Sequence, residues 1–300
     1  MKMLIKYSFV ALMLSMMTLP NTSFAGGETK AITESVVNHA TNEMNSAIES
    51  WALNNLPGVR LLEIDTKLRG NTKPDIRLIT IMELSDDEYR KWLTQISFSS
   101  HDTRETLNLG LVWRKANADK TIIYGVNTFY DMEFNSNQQR IGVGFEMKSS
   151  VYDLNINSYW ALSDKKHVDG NPEEVMDGYD IEVGLHIPHM PWATVYYKGY
   201  KFDSSIYNLR NGEQISLKLQ PTPVLSVELG RQDDNSMSSS SFVKVNYLLC
   251  CSEHQNVPFM FMSPVAYSYK SVENRFFERV RRNNNVVTAV AGSVTVARGN

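Results

Sequence analysis

Cysteine, clustered metal ligands, an excess of one charge and long hydrophobic runs are all scarce in this sequence. Its two cysteines, Cys250 and Cys251, are adjacent. Because neighbouring cysteines bridge only with strain, the sequence predicts two thiols and no disulfide framework. The six histidines are scattered without metal-ligand spacing, so no metal and no cofactor is expected. The net charge of −3 lacks the basic balance of nucleic-acid-binding proteins, and no nucleic-acid partner is expected.

Only the first 25 residues contain a sizeable apolar run. Lys2 and Lys6 precede an apolar stretch from Phe9 to Leu19, and small residues lead up to Ala25. This order is typical of a secretory signal peptide cut after Ala25. The stretch is too short for a membrane helix, which needs about 20 apolar residues. No comparable run follows, which excludes a helical membrane protein.

The rest of the chain is dominated by alternation. From Val59 to about Leu249, apolar and polar residues alternate in roughly a dozen segments of about ten residues separated by turn residues, most strictly from Tyr179 to Ile187. A β-strand sends successive side chains to opposite faces, so each segment has one apolar and one polar face. Twelve strands can be laid out, and an even number permits antiparallel closure without free edges. The fold class predicted for residues 59–250 is therefore all-β, a 12-stranded antiparallel transmembrane β-barrel.

Two details bear on this prediction. On the second strand, Ile79 and Ile81 blur the face that should be polar. A soluble sandwich is the competing fold, but it would not need aromatic residues around the ends of its apolar faces. Candidate girdle residues, which would lie at the two membrane interfaces, are Trp92 and Trp113 near one end and Tyr130, Trp160 and Tyr179 near the other.

A helix before the barrel is predicted within residues 26–58. Apolar residues recur three or four apart from Ile32 to Trp51, and Pro57 and Gly58 end the pattern. The helix is interpreted either as periplasmic or pore-associated, or as packed on the rim of the barrel.

Short motifs in a fixed order identify a family resemblance. They are Gly125–Asp131, Arg140–Glu146, Asn155–Tyr159, Asp177–Ile181, the turn with Pro188 and Pro191, Pro221–Leu225 and, after the last strand, Glu278–Val287. In this order they resemble the inverse autotransporter β-domain of the intimin and invasin adhesins, over about residues 51–287.

The resemblance implies an outer-membrane barrel with its amino end in the periplasm. A linker would return through the lumen and carry a passenger to the cell surface, where adhesion modules bind host receptors. Outer-membrane lipid and the barrel assembly machinery are the implied partners, with a host-cell receptor only if a passenger exists. Residues 251–300 would be the linker and a short tail, because the thirteen residues 288–300 are too few for a passenger domain.

A lumen of twelve strands should hold one or two extended segments or a helix. Six polar residues are candidates for its wall: Glu63, Asp65, Lys148, Asp153, Glu182 and Lys244. The candidates on a threaded linker are Arg275, Arg279, Arg281, Arg282, Asn283, Asn284 and Asn285. The alternative for this basic cluster is a solvated periplasmic tail.

The function predicted is a non-enzymatic outer-membrane translocator and anchor with almost no passenger. The alternative is a small porin, or an export partner for a separately encoded passenger. A remote alternative is an outer-membrane protease, because His101 and Asp102 fall at the predicted outer rim, where some barrel proteases keep carboxylate and histidine pairs.

Overall fold

A computed structural model describes residues 54, 58–70, 73–85, 87–101, 104–168, 170–206, 210–235, 237–250, 261–267 and 269–290. The predicted signal peptide and nearly all of the predicted helix before the barrel lie outside these residues. Among the described residues, no helix is long and apolar enough to cross a membrane.

The described residues form fifteen strands and one short 3₁₀ helix, Glu273–Arg275. The strands are β1 (Val59–Arg69), β2 (Asp75–Glu83), β3 (Arg90–His101), β4 (Arg104–Ala116), β5 (Ile122–Glu133), β6 (Gln139–Ser149), β7 (Tyr152–Ala161), β8 (Lys166–Val168), β9 (Asn171–Val175), β10 (Asp177–Ile187), β11 (Met190–Asp203), β12 (Arg210–Leu219), β13 (Leu225–Asp234), β14 (Met237–Cys250) and β15 (Thr288–Val290).

Twelve of these strands close into an antiparallel barrel. Each pairs with its sequence neighbour, β7 pairs with β10, and β14 returns to pair with β1. The predicted 12-stranded barrel is therefore confirmed. We call the end where β1 begins and β14 ends the lower rim, and the opposite end the upper rim. The three remaining strands form a small sheet in the order β15-β9-β8 on the upper side of the molecule.

The two faces of the wall differ as alternation requires. On β10, Ile181, Val183 and Leu185 are 43%, 40% and 58% exposed, whereas the intervening Glu182 is 1% exposed. The exposed apolar side chains face outwards, where lipid can cover them, and the buried polar ones face the lumen. Hydropathy averaged along such a strand hides both faces.

The candidate girdle residues lie at the two ends of the barrel. Trp92 and Trp113 are direct cross-strand partners near the lower rim. Tyr130 and Trp160 both pair with Ile141 near the upper rim, and Tyr179 is the third residue of β10 at the same end. This placement is the one that interfacial aromatic belts require.

Two expectations are corrected. The lumen is not polar throughout, because Ile79 and Ile81 are buried inside it with Leu61, Leu93 and other apolar residues. The blurred pattern on β2 thus marks an apolar layer within the lumen. Cys250 takes part in a disulfide bond, so the expectation of free thiols is wrong at that position.

Candidate functional site

The lumen is occupied by residues 272–290, which we call the linker. At the lower rim, the Val272 N–H donates to the Lys120 carbonyl at 2.8 Å, and at the upper rim the Met176 N–H donates to the Val287 carbonyl at 2.9 Å. Lys120 in the lower turn donates to Glu88 and Glu273, and these hydrogen bonds raise the pKa of Lys120. The bond to Glu273 fastens the start of the linker. The linker therefore crosses the barrel from the lower rim to the upper rim.

The first linker arginine is held near the lower rim. The Arg275 guanidinium donates to both carboxylate oxygens of Asp153 on β7, at 2.7 and 2.9 Å, and to Glu278 at 2.8 and 3.0 Å. Lys148 on β6 lies 3.3 Å from Glu278. This two-pronged geometry fixes both the position and the orientation of the guanidinium.

The second arginine points to the opposite part of the wall. Arg279 contacts Asp65 and lies 3.2 Å from Glu63, both on β1. Lys244 on β14 lies 3.3 Å from the same Asp65 carboxylate. Charges of both signs are thus buried together, which offsets part of the cost of removing each from water.

The third arginine bridges two further strands. Arg281 donates to Glu182 on β10 at 3.2 Å and to Glu228 on β13 at 3.1 Å. Its guanidinium lies 3.7 Å from the centre of the Tyr196 ring. The ring and the two carboxylates therefore enclose the charge on several sides.

The fourth arginine forms the most buried pair. Arg282 donates to both oxygens of Asp131 on β5, at 2.9 and 2.7 Å, while Arg140 on β6 donates to Asp131 at 2.9 and 2.7 Å. Asp131 and Arg140 are 0% exposed and Arg282 is 2% exposed. A Cβ at Gly142 would lie 2.9 Å from the Arg282 guanidinium, so glycine leaves the room that this arginine occupies.

Between the arginines, the lower part of the linker packs in the apolar layer. Val280 is 2% exposed and belongs to the same cluster as Ile79, Ile81 and Phe129. Its N–H donates to the Gln95 side chain at 2.9 Å. The Val280 side chain is thus held by apolar packing and its backbone by a hydrogen bond to the wall.

Above Arg282 the contacts involve mainly the linker backbone. The Asn283 N–H donates to the Tyr159 hydroxyl at 2.7 Å, and Arg140 donates to the Asn283 carbonyl at 2.8 Å. Asn108 donates to the Asn284 carbonyl, also at 2.8 Å. The Ser99 hydroxyl lies 3.3 Å from the Asn285 side chain. Side chains of the wall thus replace the water that an extended segment would otherwise bind.

At the upper rim the linker becomes a strand. Thr288, Ala289 and Val290 pair antiparallel with β9, in the hairpin formed by β8 and β9. The hairpin is tied to the barrel because Arg104 donates to both Glu173 oxygens, at 2.9 and 2.6 Å. The sequence analysis did not identify this hairpin, since β8 and β9, with three and five residues, are too short to show alternation.

All the wall and linker candidates named from the sequence lie in or at the lumen, and all four arginines reach carboxylates. The main residues that the sequence reasoning missed are Asn108, Asp131, Arg140, Tyr159, Tyr196 and Glu228. Each lies at one of the alternate positions of its strand that face the lumen, so the alternation of apolar and polar residues could have identified them. Their pairing with particular linker residues depends on the stagger of the barrel, which alternation does not give.

The residues behind the protease hypothesis have other partners. His101 contacts Asp75 through Nδ1 and lies 3.1 Å from Arg69, while Asp102 lies outside the described residues. No group of three or more His, Cys, Asp or Glu side chains suited to a metal ion occurs in the described parts of the chain.

Comparisons with known proteins bear on the family and on the barrel fold. The model of the family "Inverse autotransporter, beta-domain" matches residues 15–284. Among curated proteins, the chain is 25% identical to an invasin of Yersinia enterocolitica over 89% of its length, and 21% identical to an intimin of Citrobacter freundii over 85%. These matches cover 32% and 28% of the two relatives, so the chain spans about a third of the curated relatives it matches.

A solved structure shares the fold. It comes from work described as "Unveiling the Mechanism Behind the in-meso Crystallization of Membrane Proteins" and has a TM-score of 0.66 and 17% identity to this chain. The match covers 76% of this chain and 99% of that one. At this identity the likeness concerns the fold alone.

Proposed function

Because this chain belongs to the inverse autotransporter β-domain family of bacterial outer-membrane translocators and anchors, we propose that its barrel retains the linker as a plug and delivers whatever follows it to the cell surface. In this arrangement the lower rim faces the periplasm and the upper rim faces outside. Outer-membrane lipid covers the apolar face of the wall.

The observation that carries the proposal is the distribution of partners around the four linker arginines. Their carboxylates come from β1, β5, β7, β10 and β13, which lie on different sides of the closed sheet. A solvated tail would have no reason to match charges on so many strands. Breaking a buried ion pair by removing one partner costs about 3–5 kcal/mol, so these contacts favour a linker that stays in the lumen.

The alternatives receive less support. A small porin needs an open lumen, whereas this one holds the linker together with buried side chains such as Phe129, Tyr159 and Tyr196. The protease hypothesis rested on His101 and Asp102, but the partners of His101 are Asp75 and Arg69, and the family is one of translocators and anchors. We therefore propose a non-enzymatic role.

The partners follow from the same path. The barrel assembly machinery would insert the wall, as the family implies. A segment beyond β15 would emerge beside the hairpin at the cell surface. We propose binding to a host-cell receptor only for a chain that carries a passenger there.

Conductance in planar bilayers tests the plug. The full chain should conduct little, and deletion of residues 275–300 should raise the conductance severalfold because the lumen loses its filling. Deletion of residues 291–300 alone is the matched control and should change little. Equal conductance of all three proteins would contradict the plug.

Surface labelling tests delivery. A peptide tag fused after Asn300 should be accessible to antibody on intact cells. Combined substitution of Arg279, Arg281 and Arg282 with Gln should lower the accessible fraction per folded barrel, with folded barrels counted from the gel mobility of unheated samples. A tag that is reached only after the outer membrane is permeabilised would overturn the translocator proposal.

A further inference from the structure

A segment just before the linker has an unusual composition and surface. Residues 261–269 contain no charged side chain. Five large side chains of this segment are nonetheless well exposed: Phe261 at 65%, Met262 at 62%, Val265 at 51%, Tyr267 at 44% and Tyr269 at 74%. Apolar side chains clustered on a surface in this way mark a site of contact with another molecule or with a membrane.

This segment is attached to the lower rim at the turn between β10 and β11. The His189 N–H donates to the Ala266 carbonyl at 2.9 Å, and the Ser263 N–H donates to the His189 carbonyl at 2.7 Å. The Trp192 indole N–H donates to the Phe261 carbonyl at 3.1 Å, and the two rings lie 5.8 Å apart. These contacts fix the segment at the height where β10 ends and β11 begins.

The surface next to this turn is the one that faces lipid. Leu185 and Val195 are cross-strand partners on β10 and β11, and they are 58% and 36% exposed. They lie only a few residues from the turn that holds the segment. The lipid-facing surface of the wall therefore reaches the turn that holds the segment at the lower rim.

We propose that residues 261–269 form an interfacial anchor that inserts Phe261, Met262 and Tyr269 into the membrane leaflet at the lower rim. Two properties point to lipid as the occupant. The segment lacks charge but carries tyrosines, which combine an apolar ring with a hydroxyl that can remain among the headgroups. It also sits at the edge of a surface that lipid already covers. The anchor would hold the start of the linker against the membrane while the rest of the chain is threaded.

Site-directed spin labelling of the full chain in phosphatidylethanolamine and phosphatidylglycerol vesicles tests this anchor. Nitroxides are attached without reductant to Phe261→Cys and Tyr269→Cys, because Cys250 is disulfide-bonded. Leu185→Cys serves as the lipid-facing reference, and Asp164→Cys, exposed in the connection that follows β7, serves as the aqueous reference. The unaltered chain carried through labelling gives the background.

The measured quantity is the ratio of collisional accessibility to oxygen and to a water-soluble nickel complex. We expect the ratio at 261 and 269 to exceed that at 164 severalfold and to approach that at 185. A ratio equal to that at 164 would place the segment in water and overturn the anchor. Low accessibility to both reagents would show that protein covers the segment, and this result would overturn it as well. Either outcome leaves the plug untouched, since conductance reports on the plug separately.

Discussion

The lower and upper halves of the linker are held in different ways. Residues 275–282 carry the four arginines, and each arginine meets carboxylates through its side chain. Residues 283–290 carry no charge. Their backbone is bound first by Tyr159, Arg140 and Asn108 and then by strand pairing with β9, and Val287 and Ala289 pack in an apolar cluster. Ion pairs select a particular sequence, whereas backbone contacts select an extended conformation. The lower half thus specifies which segment stays in the lumen, and the upper half specifies its direction and shape.

The largest effect is expected where the lower half is most buried. Asp131→Asn leaves Arg140 and Arg282 buried without their carboxylate, so we expect the barrel to lose about 3–5 kcal/mol of stability. Urea unfolding in detergent, followed by tryptophan fluorescence, measures this loss. The control is Asp233→Asn, because Asp233 is exposed on β13 and should matter little. Equal losses of stability in both variants would mean that the buried carboxylate of Asp131 contributes no more to stability than an exposed one.

Gly142→Val examines the room left for Arg282. The new Cβ would lie 2.9 Å from the guanidinium and 3.3 Å from the Tyr159 ring, so overpacking should cost about 1–3 kcal/mol and displace the linker. Gly199→Val is the matched control on β11, since a Cβ there would meet no atom within 4 Å. The measurement is the temperature at which the folded band converts to the unfolded band in gels. If Gly142→Val converts at the same temperature as Gly199→Val, the close fit around Arg282 is contradicted.

Val280→Ala separates packing from charge within the lower half. Removing two methyl groups from the apolar layer should cost roughly 1–2 kcal/mol, because Val280 is 2% exposed. Val290→Ala removes the same groups from a half-buried position and should cost less. If the two variants unfold at the same urea concentration, the layer is not a specific contact of the linker.

The upper half is tested by local amide exchange rather than by global unfolding, with Ala289→Pro. Antiparallel hydrogen bonds alternate along the pair. Since Met176 donates to Val287, the next bonded position on the linker is Ala289, opposite Glu174. Proline removes one donor there, which costs about 1 kcal/mol, and adds a ring at a side chain that is 0% exposed, which costs about 1–3 kcal/mol more. Amide exchange in β9 should therefore become faster.

Val290→Ala keeps every backbone donor of β15 and therefore serves as the control for this variant. It should leave exchange in β9 unchanged. Exchange rates that do not differ between the two variants would show that β15 is not held through its backbone, and the contrast between the two halves would fail.

The sequence predicted the barrel well because alternation reports directly which side chains face lipid. It failed where a short element or a local exception breaks that rule. Ile79 and Ile81 are apolar at positions where the alternation requires polar residues, and the apolar layer around Val280 explains them. The hairpin of β8 and β9 leaves no alternating pattern, since three and five residues are too few.

The site was predictable in kind but not in detail. Arg279 and Asp65 could each be assigned to the linker and the wall by position in the sequence. That they meet, and that Arg281 instead reaches Glu182 and Glu228, depends on how far each strand is shifted against the next. Asp131 illustrates the same limit, because its two arginines, Arg140 and Arg282, are far apart in the chain and come together only when the linker enters the closed wall.

The tie between Arg104 and Glu173 has a consequence for the order of export and folding. It makes the hairpin part of the rim, so that β15 leaves beside a fixed edge as a single strand. Under the proposed export function, a polypeptide that follows β15 would start its path outwards as an extended strand, and its tertiary structure would assemble only after it has passed the rim.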